Sequence, residues 1–308
     1  TKRLKKPWAK GLVNASLRAF QRTRQAVINK IHSQVALTNH PLWILDRIQA
    51  DWPGQKADII VANNDPAPMI LRVNAAKQTR DAYQSLLAAK GLIATPCRLS
   101  RDGLILDQAV AVSDLPGFDE GCVSVQDSGA QLAAQLLQPK PFQRVLDACS
   151  APGSKSCHLL ELVPTLDLVS VDIDPDRLTR VSENFTRLGA TADLRCLDLA
   201  RPQPELGTFD QILLDTPCSA SGVIRRHPDI KLLRRPEDLA TLIETQRQLL
   251  TQCWSLLRPG GSLLYVTCSI FSEENEDNLV WFLANHHDVE TLALPAVGVP
   301  RSIGVQLL

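Results

Sequence analysis

Residues 144–160 read RVLDACSAPGSKSCHLL, an apolar run that passes through a proline–glycine turn into a segment with helical spacing. Four more apolar runs follow, at residues 166–174 (LDLVSVDID), 192–198 (ADLRCLD), 209–215 (FDQILLD) and 262–268 (SLLYVTC). Helix-like stretches separate these runs, and strands that alternate with helices form parallel βαβ units. The sequence therefore predicts an α/β fold with a doubly wound, mostly parallel sheet from about residue 144 onward.

The turn at Pro152 and Gly153 predicts a ligand site beside the first strand. Glycine lets the backbone approach a ligand closely, and the N-terminus of the following helix offers free N–H groups. Asp172 ends the second predicted strand about 20 residues later, where a carboxylate can accept ribose hydroxyls. The G-x-G-x-x-G pattern of dinucleotide sites is absent, and residues 153–156 lack the upstream glycine of a P-loop. We therefore expect a nucleoside ligand, although ordinary turn chemistry explains Pro152 and Gly153 equally well.

Two cysteines, Cys218 and Cys268, each come at the end of an apolar run. Because the carboxyl ends of the strands line the ligand crevice of such a sheet, both thiols are expected at the site. The alternative is two unrelated buried thiols, since free cysteine is a small and often buried hydrophobe. The eight cysteines include no C-x-x-C pair, so we expect reduced thiols and neither a zinc site nor another metal site. Five others are interpreted as packing residues: Cys97, Cys122, Cys157, Cys196 and Cys253.

The length of 308 residues, 44% of them hydrophobic, allows two or three domains with real cores. No apolar run approaches the ~20 residues that span a bilayer, and no apolar signal core follows the basic N-terminus. We therefore expect a cytoplasmic protein without membrane contact. Between residue 40 and about residue 137, helix-like pieces (42–52 and 79–91) mix with short strands (69–74, 103–107 and 123–127), which predicts an α+β module.

Basic residues are concentrated in two places, although the formal net charge is zero. The first acidic residue is Asp46, and the segment before it carries nine lysines and arginines, partly on a predicted helix or pair of helices at residues 11–33. Such a block is typical of a nucleic-acid-facing segment, or of a solvated helical face. A second group, Arg225, Arg226, His227, Lys231, Arg234 and Arg235, follows the Cys218 segment, where it could hold a phosphate backbone.

Several motifs, in their order and spacing, resemble the RNA cytosine-5 methyltransferases of the Nol/Nop/Sun group. They are CSAPGSK (149–155), VDID (171–174), LDLA (197–200), DTPCSASG (215–222) and VTCSIFSEEN (266–275). The pair DTPCSASG and VTCS is highly specific, whereas the APGSK turn alone is not. The bacterial Sun, or Fmu, subgroup is similar over nearly the whole chain, including KKPWAKGLVNASLRAF (5–20), PMILRVN (68–74) and LPGFDEGCVSVQD (115–127).

The resemblance implies three parts. Residues 1–36 would be the last part of a NusB-like helical RNA-binding domain, and residues 37–137 an α+β connecting module. Residues 138–308 would be a Rossmann-like, S-adenosylmethionine-dependent methyltransferase domain. The family pattern continues with one more strand, which the resemblance implies is missing from this chain.

The resemblance also assigns roles to residues of the predicted site. S-adenosylmethionine is the implied cofactor, bound by Cys149, Ser150, Ala151, Pro152, Gly153, Ser154, Lys155, Asp172, Asp198 and Asp215. Ser154 stands where a second glycine is common in the family. The cysteine of the T-C motif, Cys268, is the implied nucleophile. The cysteine of the P-C motif, Cys218, is implied to assist resolution and product release.

The chemistry of cytosine methylation requires such a set. Carbon 5 of cytosine is too weakly nucleophilic to take a methyl group, so a thiolate must first add to carbon 6. A thiol that ionises near neutral pH needs an electropositive, partly exposed site, to which Lys155, the sulfonium or Arg225 could contribute. Asp215 is expected to stabilise charge at ring nitrogen 3; the alternative is a structural cap on the turn 216–219. Cys218, or a water that it positions, is expected to remove the proton from carbon 5.

The substrate follows from the need to reach carbon 6 face-on. An unstacked base is required, so we expect a structured RNA with a flipped-out cytosine, and the resemblance implies small-subunit ribosomal RNA. RNA contacts are assigned to Arg225, Arg226, Lys5, Lys6 and Lys10, and a monomer is expected. The alternatives are a non-catalytic ribosome-assembly factor, methylation of another RNA such as tRNA, a DNA cytosine-5 methyltransferase or a small-molecule methyltransferase. A DNA enzyme has no need of Cys268, and a small-molecule enzyme leaves the cysteine pair and the basic segments without a role.

Overall fold

The computed structural model describes residues 6–308, which form two compact units that meet in sequence at Asn64 and Asp65. The first unit is helical. Its helices are α1 (Ala9–Ile28), α2 (Gln34–Thr38), α3 (Leu42–Asp51) and α4 (Lys56–Asn64). The helix predicted over residues 11–33 is present as α1, which ends at Ile28 and buries none of its side chains. Lys6 and Lys10 are exposed, and Lys5 lies outside the described residues.

The second unit begins with a small antiparallel sheet. Its elements are β1 (Met69–Val73), α5 (Arg80–Ala89), β2 (Ala94–Pro96), β3 (Gly103–Leu106) and β4 (Val123–Val125), and the strand order is β2-β3-β1-β4. The three strands predicted in this segment are confirmed as β1, β3 and β4, and the helix predicted at residues 79–91 is α5. A core that includes Leu71, Val73, Tyr83 and Leu87, each at most 1% exposed, joins the sheet to α5.

A five-stranded parallel sheet follows the helix α6 (Ser128–Leu137). Its first part comprises β5 (Arg144–Ala148), α7 (Ser154–Leu162), β6 (Asp167–Asp172), α8 (Pro175–Leu188) and β7 (Asp193–Cys196). Its second part comprises β8 (Phe209–Asp215), α9 (Ile230–Leu233), α10 (Pro236–Ser255), β9 (Leu257–Val266) and α11 (Glu276–Asn285). All five predicted strands are confirmed, and every pairing in this sheet is parallel. A short antiparallel hairpin, β10 (Val299–Pro300) with β11 (Val305–Gln306), lies near the end of the chain.

The strand order of the parallel sheet, β7-β6-β5-β8-β9, determines where a ligand can bind. The chain builds outward from β5 to β7 on one side and then returns to place β8 on the other side of β5. In open α/β sheets the crevice at such a switch point, beyond the carboxyl ends of the strands, is the ligand site. At this edge Asp215 pairs in register with Val266. The segments that carry Cys218 and Cys268 therefore leave the sheet side by side.

The central strands are apolar on both faces because helices cover both sides of the sheet. Val145 and Leu213 pack into one core, while Leu146, Ile212 and Leu214 pack into the other. This alternation explains why the strands read as nearly continuous apolar runs in the sequence. Among residues 6–308, no helix combines the length and the hydropathy needed to cross a membrane.

Candidate active site

A cavity of about 290 Å³ lies at the carboxyl ends of the parallel strands. The predicted site residues that line it are Cys149, Ala151, Asp172, Asp198, Asp215, Cys218 and Cys268. Apolar side chains complete its walls, among them Val171, Ile173, Leu197, Leu199 and Leu249. The other predicted cofactor residues, Ser150, Pro152, Gly153, Ser154 and Lys155, are not among the described residues that line the cavity and belong to the turn and first helical residues after β5. The structure thus brings together residues from the ends of all five strands of the parallel sheet.

The turn after β5 is built so that only glycine fits at position 153. Gly153 has a φ of +92°, in the left-handed region, and a Cβ atom there would lie 2.9 Å from Cγ1 of Val181 on α8. Asn184 of α8 also donates a hydrogen bond to the Pro152 carbonyl (3.0 Å), and the Ala151–Pro152 peptide is cis. Ser154 is the first residue of α7, so the side chain that replaces the family's second glycine is accommodated in helical backbone.

Two carboxylates predicted to bind the nucleoside lie at the ends of β6 and β7. Asp172 is 3% exposed, and its two oxygens accept hydrogen bonds from the backbone N–H groups of Ala151 and Asp174, each at 3.1 Å. Arg177, which also lines the cavity, lies 3.6 Å from Asp172 and was not predicted. Asp198 accepts the backbone N–H of Ala200 at 3.0 Å. These contacts fix both carboxylates and leave acceptor capacity on their oxygens for a ligand.

The two predicted catalytic cysteines are in direct contact. The Sγ atoms of Cys218 and Cys268 lie 3.2 Å apart, within hydrogen-bonding distance for sulfur. Cys218 is 7% exposed, whereas Cys268 is exposed. The two loops thus present one buried and one exposed cysteine to the cavity.

The charges around the pair distinguish the two thiols. The hydrogen bond that Cys218 donates lowers the pKa of Cys268 below its ordinary value; burial and Asp215 oppose this shift, and Lys155 supports it. The same hydrogen bond, together with burial, raises the pKa of Cys218 well above its ordinary value. Cys268 is therefore the sulfur that carries negative charge first, with Cys218 as its hydrogen-bond donor. By contrast, burial raises the pKa of Cys149 well above the ordinary range, so that thiol stays protonated.

Lys155 and Asp215 form an ion pair beside the cysteines. Nζ of Lys155 lies 2.5 Å from Oδ2 of Asp215, and the two side chains are 13% and 30% exposed. Burial alone would lower the pKa of Lys155, but its interaction with Asp215 raises that pKa overall. The lysine is thus held as an ammonium group near Cys268. Among the described residues, no group of three or more histidine, cysteine, aspartate or glutamate side chains could hold a metal ion.

Comparison with known proteins places this geometry in a family. Residues 134–306 match the family model of the 16S rRNA methyltransferase RsmB/F. The chain belongs to the RsmB/F methyltransferase family. Residues 40–113 of this family member match the model of the Methyltr_RsmF/B-like, ferredoxin-like domain, which covers strands β1 to β3 of the antiparallel sheet.

Curated relatives cover nearly the whole chain. "Ribosomal RNA small subunit methyltransferase B" of Pseudomonas syringae pv. tomato is 49% identical over 317 residues, which cover 99% of this chain and 70% of that protein. The protein of the same name from Klebsiella pneumoniae subsp. pneumoniae is 45% identical over 307 residues, with the same two coverages. This RsmB/F family chain therefore spans about 70% of the length of these relatives.

Solved structures confirm the Rossmann-like methyltransferase fold predicted from the sequence. A methyltransferase homolog protein from Pyrococcus horikoshii has a TM-score of 0.76 at 31% identity, covering 87% of this chain and 85% of that chain. NSun6 from the same organism, solved with SFG, has a TM-score of 0.76 at 20% identity, covering 86% of this chain and 92% of that chain. The second likeness concerns the fold alone.

Arg72 on β1 was not singled out from the sequence, yet it supports the cofactor turn. It is 1% exposed, and its guanidinium donates to both carboxylate oxygens of Glu161 on α7, at 3.0 and 2.7 Å. The same guanidinium donates to the Ser154 carbonyl at 2.9 Å and to the Gln126 side chain. A lone arginine in a strand gives no sequence signal for such a contact, because its partner lies 89 positions away.

The basic group after Cys218 has mixed roles in this RsmB/F family chain. Arg234 donates to the carbonyls of Cys218 (3.1 Å) and Ser219 (3.2 Å), so it supports the cysteine loop itself. Arg225 and Arg226 are exposed residues that also donate to the Pro66 and Pro68 carbonyls, at 3.0 and 3.4 Å. Lys231 is buried, and burial lowers its pKa. The exposed members of this group, which are accessible to an RNA, are Arg225, Arg226, His227 and Arg235.

Proposed function

We propose that this chain methylates carbon 5 of a cytosine in small-subunit ribosomal RNA, with Cys268 as the nucleophile and Cys218 as the release residue. The observation that carries the proposal is the 3.2 Å contact between the sulfur atom of the buried Cys218 and that of the exposed Cys268. The family membership supports methyl transfer, and the names of the curated relatives support ribosomal RNA as the substrate.

The cavity fits S-adenosylmethionine as the cofactor, which when bound supplies an electrophilic methyl group. Asp172 would hold the ribose hydroxyls, because each of its oxygens accepts only one backbone N–H and keeps a free acceptor position. Asp198 would accept the adenine amino group, between the apolar side chains of Ile173 and Leu197. Thr216 supports the fit further: this residue lines the cavity, and its buried Oγ1 atom has no hydrogen-bond partner among the described residues.

The first chemical step that the chain performs is the addition of Cys268 to carbon 6. Cys268 is an exposed residue and its pKa is lowered, so it is accessible and ionises more readily than an ordinary thiol. Addition pushes electron density onto ring nitrogen 3 and the neighbouring oxygen. The Lys155 ammonium stabilises that charge, and Asp215 holds the ammonium in place. Asp215 was predicted to stabilise charge at ring nitrogen 3 by itself; here we assign that role to the ion pair of Lys155 and Asp215.

The last step releases the product from Cys268. Removal of the proton on carbon 5 lets the carbon–sulfur bond break, and Cys268 leaves as a thiolate. Because the pKa of Cys218 is raised, it is a protonated thiol that donates a hydrogen bond to the departing sulfur. A base role for Cys218 itself fits less well with that protonated state, so a water beside it is the better candidate for the base.

The test is transfer of labelled methyl groups from S-adenosylmethionine to isolated small-subunit ribosomal RNA. The RNA is then digested to nucleosides, with tRNA and duplex DNA as parallel substrates. We expect 5-methylcytidine from the ribosomal RNA and none from the DNA. Tight RNA binding without methyl transfer would favour an assembly factor, and label in any nucleoside other than 5-methylcytidine would refute the proposed chemistry.

A further inference from the structure

A buried carboxylate lies behind the cysteine pair. Glu274 ends a short 3-10 helix, Ser272–Glu274, and is 0% exposed. Its Oε1 atom accepts hydrogen bonds from the Ser219 backbone N–H (2.7 Å) and from the Gln246 side chain (3.0 Å), and its Oε2 atom accepts one from the Ser219 hydroxyl (2.5 Å). Hydrogen bonds to a charged acceptor are shorter and stronger than neutral ones. Glu274 thus binds the residue that directly follows Cys218.

Serine hydroxyls connect this anchor to the other cysteine loop. Ser269, which directly follows Cys268, has its Oγ atom 3.3 Å from that of Ser219 and 3.0 Å from that of Ser221. Ser221 in turn accepts the backbone N–H of Ile270 at 3.0 Å. The residues after the two cysteines are therefore joined by side-chain hydrogen bonds among residues that do not line the cavity.

The backbones of the two loops are also joined. The N–H of Gly222 donates to the Cys268 carbonyl at 2.9 Å, and a Cβ atom at position 222 would lie 2.9 Å from that same oxygen. This close approach explains the glycine in the DTPCSASG segment. Gln246, which also binds Glu274, donates to the Pro217 carbonyl at 2.9 Å, and Asn278 donates to the Gln246 side chain at 2.7 Å. The cysteine segment is held from several directions at once.

We propose that Glu274 is the positioning residue for the catalytic pair: through Ser219, Ser221 and Ser269 it fixes both loops so that the sulfur atoms of Cys218 and Cys268 face each other. The inference rests on the proposed function, because it assumes that these sulfurs act on the substrate. Glu274 itself lies behind the loops, so its effect reaches the substrate only through them. A displacement of about 1 Å at a reacting group can lower a rate ~10²-fold.

The negative charge of Glu274 also affects the pKa values of the two cysteines, which gives a second way to test its role. The groups that act on Cys268 are Cys218, Asp215, Lys155 and Glu274, and the Glu274 carboxylate raises the pKa of both cysteines. Replacement by glutamine keeps the shape and removes the charge. The amide oxygen can still accept from Ser219 N–H and Gln246, while the amide nitrogen donates to the Ser219 hydroxyl. Glu274→Gln is therefore expected to keep more activity than Glu274→Ala.

The experiment compares Glu274→Ala, Glu274→Gln and Ser219→Ala with wild type. The matched control is Glu244→Ala, which removes an exposed carboxylate from α10. Three quantities are measured: the Kd for S-adenosylmethionine, kcat and KM for ribosomal RNA, and the rate of Cys268 alkylation by iodoacetamide across pH. For Glu274→Ala we expect an unchanged Kd and KM and a kcat lowered ~10²-fold. For Glu274→Gln the alkylation midpoint moves to lower pH, while Ser219→Ala lowers kcat without that movement.

Two results would overturn the inference. In the first, Glu274→Ala keeps the kcat and the alkylation profile of wild type. In the second, Glu274→Ala loses both cofactor affinity and kcat, and Glu274→Gln has the alkylation midpoint of wild type. Glu274 would then only stabilise the fold. The alkylation measurement requires no methyl transfer, so it reports on the positioning of Cys268 even if the proposed function fails.

Discussion

The sulfur atoms of Cys218 and Cys268 lie 3.2 Å apart, although the two residues are 50 positions apart in the sequence. The parallel pairing of β8 with β9 brings their loops together, and the serine network behind them joins those loops. The hydrogen bond between the two sulfurs lowers the pKa of Cys268 and raises the pKa of Cys218.

Mild oxidation should link the two cysteines. A movement of about 1 Å brings the sulfurs to bonding distance, and diamide can accept the two electrons and the two thiol protons as its N=N bond becomes a hydrazine. We expect one disulfide between Cys218 and Cys268, detected by peptide mass spectrometry, and loss of methyl transfer that dithiothreitol restores. Cys196→Ser, which changes an exposed cysteine elsewhere, should behave like wild type. Failure to form the link under conditions that oxidise Cys196 would contradict the contact.

Replacement of Lys155 should shift the pH dependence of activity. Lys155 lowers the pKa of Cys268, whereas Asp215 raises it, so Lys155→Met removes the favourable charge and leaves the unfavourable one. The pKa of Cys268 then rises, and each unit of rise lowers the thiolate fraction at neutral pH about tenfold. We expect the ascending limb of the kcat/KM profile to move to higher pH, with activity partly recovered at pH 9. Lys140→Met, at an exposed lysine, is the control. An equal loss at every pH would show that Lys155 does not act through the thiol.

Alanine substitutions at two glycines distinguish the cost of a left-handed backbone from the cost of a steric clash. Gly153 and Gly189 both have positive φ, +92° and +68°, but only at Gly153 would a Cβ atom meet a neighbour, Val181. Gly189→Ala should lower the free energy of unfolding by about 1–2 kcal/mol, the cost of a left-handed alanine. Gly153→Ala should lower it further and weaken cofactor binding. Chemical denaturation and cofactor titration measure both effects, and equal stability losses in the two variants would refute the role of Val181.

Asp147 should make stability fall as pH rises toward neutrality. Burial raises its pKa from 3.8 to about 7, although the hydrogen bond from Ser156 opposes the shift. Between these two values the folded chain binds more protons than the unfolded chain, so the free energy of unfolding decreases with increasing pH. Asp147→Asn removes this titration and keeps an oxygen for Ser156. We expect the variant to lose less stability than wild type between pH 5 and pH 8 in urea denaturation. The same slope in both proteins would contradict the raised pKa.

The fold was largely predictable from the sequence because buried parallel strands are nearly continuous apolar runs. All five strands of the parallel sheet and three of the four strands of the first antiparallel sheet were found in this way, whereas the hairpin strands β10 and β11 were not. Strand β2 was not predicted, since its three residues, Ala94–Pro96, are too short to show alternation and end in proline. Helix α4 was also not predicted, since it buries only Ile59 and Asn63 and shows little amphipathic pattern.

The site was predictable in its composition but not in its geometry. Strand ends and motifs indicated Asp172, Asp215 and both cysteines, because these features are local in sequence. The contacts that determine reactivity are long-range: Lys155 with Asp215 spans 60 positions, and Glu274 with Ser219 spans 55. Nothing in the local sequence around a glutamate tells whether it is exposed or holds a loop 55 positions away.

The most direct test of the central claim is covalent trapping on RNA. Cys218→Ala, Cys268→Ala and the double variant are incubated with S-adenosylmethionine and small-subunit ribosomal RNA, and protein–RNA adducts are separated on denaturing gels. We predict that Cys218→Ala accumulates an adduct, because Cys268 still adds to carbon 6 but lacks its hydrogen-bond donor on release. Cys268→Ala and the double variant should form none. An adduct in Cys268→Ala, or full methyl transfer by that variant, would contradict the assignment of Cys268 as the nucleophile.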